Sequence, residues 1–315
     1  MIDLAWRSLT TLPPLPSEAT GLRVDGNRLA SLPGLSALPS LRVLHADGNR
    51  LTTVPRCPPY LEELYLYGNA IADLGDPLPP TLRHLSAGGN GLTEAPAWLW
   101  SLDRLESLNL AENALTTLPP GISNLRRLRM LDLGHNRLDA IPAEVGDLPL
   151  TDYLYLSDNG FTEAPASLGR LDRLAYLNLT DNRLTSLPSS LGDMASLVEL
   201  RLYNNRLAEL PSSIGRLGAL RELHLKGNRL RELPPSIADL ASLRQLDLRD
   251  NQLAGLPDLG RLHRLTHLDL RNNRLRTLPD TLPPALEKLD LRWNKLDDEP
   301  PVLSRLRDRG CVILR

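Results

Sequence analysis

The stretch Leu105–Leu115, LESLNLAENAL, decides how the rest of the chain is read. It returns as LRMLDLGHNRL from Leu128, LAYLNLTDNRL from Leu174, LVELRLYNNRL from Leu197 and LRELHLKGNRL from Leu220. The asparagine counts the copies: Asn27, Asn49, Asn69, Asn90, Asn113, Asn136, Asn159, Asn182, Asn205, Asn228, Asn251, Asn273 and Asn294. The intervals are 22, 20 and 21, then 23 seven times, then 22 and 21. Self-similarity at such a period marks a stacked array, in which each unit buries its apolar edge against its neighbours and no second core is needed. Residues 1–315 are therefore expected to form one domain. A partial copy opens it, with Arg7 where asparagine would sit, so 1–21 reads as a cap. At the other end 295–315 reads as a capping segment. There Cys311–Arg315 aligns as one more strand, with Val312 and Leu314 expected to face inward.

The phrase L-x-x-L-x-L-x-x-N-x-L resembles the leucine-rich repeat family along the whole chain. That resemblance implies an α/β fold: a single curved solenoid, or horseshoe, with a concave parallel sheet of about 15 short strands. Within each LNL-type triplet alternate leucines face the core and their neighbours face out, the period of a strand. Asparagine closes each strand because its short amide bonds backbone groups in a tight turn and satisfies polar groups that water cannot reach. Beyond it comes L-x-x-L-P, as in Leu115–Pro119, then apolar residues every third place (Ile122, Leu125, Leu128), which suits a short helix or 3₁₀ turn on the convex side. Pro58-Pro59, Pro79-Pro80 and Pro283-Pro284 replace that stretch, so those coils are expected to be extended there.

The LPxxIxxLxxL units look like intracellular repeat proteins of the signalling-scaffold kind, and the shorter PPxLxxLxLxxNxL units are similar to those of bacterial effectors that carry a ubiquitin-ligase domain. Only Lys226, Lys288 and Lys295 accompany 33 arginines, which leans towards a bacterial source. No run of about eighteen apolar residues exists, so no membrane span is expected. The start, MIDLAWRSL, lacks the pattern of a signal peptide. Cys57 and Cys311 lie near opposite ends of an elongated array and are not expected to pair. A reducing, cytoplasmic setting is therefore expected. Charge is uneven: residues 1–200 hold 15 Arg/Lys against 23 Asp/Glu, and 201–315 hold 21 against 15. That asymmetry suggests a directional partner surface.

The leucines and asparagines explain stacking alone, so function is sought in the gaps between them on the concave face, at places −6, −4, −2 and −1 relative to the asparagine. Tyr153, Tyr155, Tyr176 and Tyr203 fall there on three successive coils, with Met130, Asn178, Arg201 and His224 around them, and Tyr65 with Tyr67 make a second pair. Tyrosine offers rigid contact area with a polar tip and is a preferred interface anchor, although aromatic packing across strands also stabilises a sheet. Asp247, Asp269 and Asp290 form a column at −4 beside Lys226, Arg249, Arg271 and Arg292 at −2, with Arg315 next in line. This is either a self-compensating surface network or a strip that receives a partner's carboxylates or phosphates. Trp293 is an exposed anchor or part of the terminal cap. Glu112, His135, Asp158 and Asp181 recur at −1, but residues just before the asparagine suit turn chemistry, and no metal or other cofactor is expected.

No glycine-rich phosphate loop, GxSxG or zinc spacing occurs, and the histidines on the concave face are scattered. The expectation is a non-catalytic, monomeric scaffold that binds a protein or peptide, with acidic groups on the partner where it meets the arginine strip, and neither nucleic acid nor membrane. The alternative is an accessory subunit or secreted effector that works with a separately encoded enzyme.

Overall fold

The computed structural model describes residues 1–297 and 299–315. The chain divides into two compact units, Met1–Leu150 and Thr151–Arg315. In the first, seven strands run in chain order: β1 (Ile2–Asp3), β2 (Gly21–Arg23), β3 (Val43–His45), β4 (Glu63–Tyr65), β5 (His84–Ser86), β6 (Ser107–Asn109) and β7 (Met130–Asp132). All pair in parallel, each with its sequence neighbours. The second unit repeats the arrangement with β8 (Tyr153–Tyr155), β9 (Tyr176–Asn178), β10 (Glu199–Arg201), β11 (Glu222–His224), β12 (Gln245–Asp247), β13 (His267–Asp269), β14 (Lys288–Asp290) and β15 (Val312–Leu314).

Register follows from the leucines. From β2 to β7 and from β8 to β14 the middle residue of each strand is a leucine, buried and aligned with the leucine of the next strand. A slip of one residue would turn every such leucine to solvent, at about 1.5–3 kcal/mol each. The residues flanking it therefore share the opposite face of the sheet.

The asparagines form the ladder expected of them, and its bonding is shared between coils. Asn113 Nδ2 donates to the Leu110 carbonyl of its own coil and to the Ala87 carbonyl of the preceding one, and Asn113 Oδ1 accepts the Leu92 N–H at 2.9 Å. Asn205 repeats this with Leu202, Leu179 and the Leu184 N–H. Place −1, just before the asparagine, is held in the left-handed region: φ is 54° at Glu112, 54° at His135, 50° at Asp158, 55° at Asp181 and 60° at Trp293. Glycine and asparagine, which adopt it at little cost, fill the place in many other coils. The acidic strip read from the sequence is thus a row of turn positions.

Opposite the strands, the described residues include eight 3₁₀ segments, each following a proline or glycine that ends the extended run; Pro188 precedes Ser189–Asp193, which buries Leu191. Among the described residues the Pro58-Pro59, Pro79-Pro80 and Pro283-Pro284 coils have no 3₁₀ segment, whereas Pro119-Pro120 and Pro234-Pro235 each open one. The first three each run extended into one tight turn, such as Leu82 N–H to the Pro79 carbonyl at 3.1 Å.

The last coil departs from expectation. Helix α1 (Pro301–Asp308) buries Val302, Leu303 and Leu306. Gly310, φ 87°, lies just beyond its C-cap Arg309, and the Gly310 and Cys311 N–H groups donate to the Arg307 and Leu306 carbonyls. This paired C-terminal bonding fixes where the strand begins. Ile313 consequently lies beside Leu289, while Val312 and Leu314 lie beside Lys288 and Asp290 on the outer face. Val312 is 57 % exposed. Their expected inward placement is corrected: the inward residues are Cys311, which is buried, and Ile313. Because strand side chains alternate with period two, a one-residue shift in the strand's phase inverts the assignment. Arg315 likewise falls outside the arginine column and approaches Glu299 at 4.0 Å.

Candidate functional site

On the sheet face of the 151–315 unit the candidate residues form two contact groups. Tyr153 and Tyr155 flank buried Leu154, so both rings leave the same face. Register sets Tyr176 beside Tyr153 and Asn178 beside Tyr155. The Tyr153 and Tyr155 rings are 4.8 Å apart and tilted by 47°, and Tyr155 meets Tyr176 at 5.0 Å and 56°. Tilted rings at this spacing attract through edge and face beyond the area they bury. Burial pushes the Tyr176 hydroxyl above its ordinary value, so it stays neutral. The Arg201 guanidinium lies 5.3 Å over the Tyr176 ring, and its Nε donates to Glu199 at 2.5 Å. Three half-buried rings capped by a cation make an amphipathic platform. Asn178 serves its own turn, where its Oδ1 accepts the Thr180 N–H, as Asn109 accepts that of Ala111.

The second group begins at Tyr203, whose hydroxyl lies 2.6 Å from His224 Nδ1. Burial pushes Tyr203 up to about 12, and nearby Asp247 adds to the rise. His224 is itself buried and turns Nε2 towards Glu222 at 3.2 Å and Glu199 at 3.5 Å. Beyond it the charged columns interlock. Arg249 grips Asp247 at 2.7 Å and reaches Asp269 at 3.4 Å. Arg271 grips Asp269 at 2.6 Å and reaches Asp290 at 3.3 Å, and Arg292 holds Asp290 at 2.7 Å. The hydrogen bonds that Arg249 donates to Asp247, above all, raise its value beyond the ordinary one. Burial opposes ionisation of Asp290, yet its bonds from Arg292 and the charge of Arg271 leave it below the usual carboxylate value.

This network is layered. The Asp247 and Asp290 side chains are only 6 % and 3 % exposed, whereas those of Arg249, Arg271 and Arg292 are 29, 22 and 38 % exposed. The outer layer is mainly cationic over a floor of Asp247 and Asp290, with Asp269, 25 % exposed, at the level of the arginines. Trp293, 69 % exposed, stacks with Arg292 at 5.5 Å.

In the 1–150 unit, Met130 is half-buried on β7. Tyr65 stacks on His45 at 4.3 Å with nearly parallel rings and donates to Glu63. Burial first, and Glu63 second, push its hydroxyl up to about 12. Tyr67 donates to Glu112 at 2.7 Å. Both hydroxyls of this second pair are thus engaged within the unit.

Two participants escaped the sequence reading: Glu199 and Glu222, which are register partners beside His224. The signal was the glutamate at −6 in VELRL and RELHL, the place that Tyr153 and Tyr176 take in the two preceding coils. Neither cysteine is poised as a nucleophile, since burial pushes Cys57 up to about 12 and Cys311 upward as well. Among the described residues, no helix is long and apolar enough to cross a membrane.

Comparison with known proteins agrees with the geometry. Models described as a leucine-rich repeat region and as leucine-rich repeats match residues 119–205, 80–138 with 199–253, 241–284 and 284–299. The chain belongs to the leucine-rich repeat proteins. A leucine-rich repeat protein of Leptospira interrogans is 29 % identical over 99 % of this chain and 94 % of its own, with a TM-score of 0.81. A chain of the Toll–Spätzle complex of Drosophila is 26 % identical over 91 % of this chain and 43 % of its own, with a TM-score of 0.71. Mouse podocan is 34 % identical over 105 residues, which are 30 % of this chain and 17 % of podocan. The matched segment is therefore a small part of that curated relative.

Proposed function

We propose that the protein is a non-catalytic binding protein that receives a protein or peptide on the sheet face of residues 151–315. The observation that carries this is the contiguous Tyr153–Tyr155–Tyr176 cluster under Arg201. Rigid aromatic area with a cation beside it is what interfaces use as anchors, and side chains held by their neighbours lose little freedom on binding. The cationic layer of Arg249, Arg271 and Arg292 fits a partner that carries acidic groups, with Trp293 at its margin. Membership of a family that generally mediates protein–protein contacts supports the reading, as does similarity to a chain whose complex is with a protein ligand. The arginine-rich composition and the free thiols Cys57 and Cys311 support a bacterial cytoplasmic setting, and the protein is taken to act as a monomer.

The test is affinity capture from cells, followed by titration of the captured partner against Tyr153→Ala/Tyr155→Ala. Loss of two anchors of about 2 kcal/mol each weakens binding by more than a hundredfold. A double variant with an unchanged circular dichroism spectrum and normal affinity places the site elsewhere.

A further inference from the structure

Glu199, Glu222 and His224 bring together three metal-ligating groups, of which the binding reading takes up only His224. Glu199 and Glu222 sit opposite one another on β10 and β11, and His224 follows Glu222 by two residues, so all three side chains leave one face. One ligand atom from each lies within 4.8 Å of the others. The two distances from His224 Nε2, 3.2 Å to Glu222 and 3.5 Å to Glu199, bracket the edge of a tetrahedron built on bonds of about 2.0–2.1 Å. That edge is roughly 3.3 Å from the same bond lengths. A second feature is independent of the carboxylates. His224 is buried, and its other nitrogen, Nδ1, is held by the Tyr203 hydroxyl at 2.6 Å. Metal-ligating imidazoles are commonly oriented in this way, with the far nitrogen bonded to a polar partner.

We propose that Glu199, Glu222 and His224 form a site for one divalent transition-metal cation of the zinc class, with one coordination position open to the sheet face. The donor set of one imidazole and two carboxylates suits zinc better than calcium or magnesium, which take oxygen ligands in larger number. Ion binding places the imidazole proton on Nδ1, which then donates to the Tyr203 oxygen and leaves Nε2 as the ligand. The two carboxylates balance the ion's charge. Arg201 competes for the site, because its Nε bonds the Glu199 oxygen that faces His224. The ion displaces the guanidinium from that oxygen.

The experiment uses the full chain freed of metal with a chelator. It is titrated with Zn²⁺ by calorimetry and with Co²⁺ by visible absorption. The expected result is one saturable site per chain with the intense bands of low-symmetry cobalt. Glu222→Gln, whose side chain is 42 % exposed and is expected to leave the fold intact, abolishes it. His224→Ala abolishes it too, while His267→Ala leaves it unchanged. Tyr203→Phe weakens binding by about tenfold or more through loss of the orienting bond. Arg201→Gln strengthens binding, an outcome that adventitious surface uptake would not produce. No saturable uptake of either ion overturns the proposal, as does a site that persists in folded Glu222→Gln.

Discussion

Replacing Asn205 with alanine tests the physical account of the repeat. Asn205 is 6 % exposed and makes four hydrogen bonds to backbone. Their loss is not uniform. The Leu179 carbonyl still receives Asn182 Nδ2 at 3.1 Å, and the Leu202 carbonyl still receives Asn228 Nδ2 at 2.9 Å. Only the Leu184 N–H, bonded to Asn205 Oδ1 at 3.0 Å, loses its partner outright. One orphaned buried donor costs about 1–3 kcal/mol, and thinning the carbonyl bonds adds about 1 kcal/mol. Asn205→Ala is therefore expected to destabilise by about 2–4 kcal/mol. Native-state hydrogen exchange at the Leu184 amide is the direct assay, because opening in repeat arrays need not be all-or-none. Urea denaturation supplies the global value. Asn178→Ala, which removes one half-buried bond to Thr180, is the comparison and costs about 0.5–1.5 kcal/mol. The reasoning fails if Asn205→Ala costs no more than Asn178→Ala, or if protection at Leu184 is unchanged.

A Cβ at position 192 would lie 2.3 Å from the Ser213 carbonyl oxygen, so Gly192→Ala is expected to lower the urea midpoint by about 1–3 kcal/mol equivalent. Gly218→Ala meets nothing within 4 Å and should leave the midpoint unchanged or raise it. Burial holds Asp132 above the ordinary carboxylate value of 3.8, so its ionised form opposes folding above that value. Asp132→Asn keeps the acceptor for the Gly134 N–H, as Asn109 and Asn178 do at the same place. It should raise the melting temperature at neutral pH and lose that advantage as the pH falls through the raised Asp132 value. Asp290 has the opposite sign: its folded value is lowered, so the stability it adds is full above 3.8 and disappears as pH falls through that lowered value. Acid titration of amide exchange around Leu291 and Leu314 should therefore show weakening below about pH 4, and Asp290→Asn should remove that dependence.

Much of the candidate surface was legible because strand alternation turns spacing into facing. Tyr153, Tyr155, Tyr176 and Tyr203 reach the sheet face as the phrase required, and Arg249, Arg271 and Arg292 pair with the aspartate column while Arg315 does not join it. The layering of those columns was not legible, since which charge lies beneath depends on side-chain length and on the neighbouring coil. Neither was the role of Asn178, nor the convergence of Glu199 and Glu222 on His224. Those depend on bonds between coils that residue spacing does not encode. The strip at −1 needed backbone angles to be recognised as left-handed turns.

The repeated phrase by itself determined the coil, its parallel strands and the face each residue takes, because a buried leucine ladder admits one register. Tertiary structure decided what the exceptions do. It set which tyrosines touch, which arginines are bound to aspartates, and which nitrogen of His224 meets the carboxylates. At the terminal coil it overruled the pattern: α1 and the left-handed Gly310 set the phase of β15, sending Val312 and Leu314 outward and Cys311 and Ile313 inward. A period of two carries no memory of its starting point, so the turn just after the helix chooses the face.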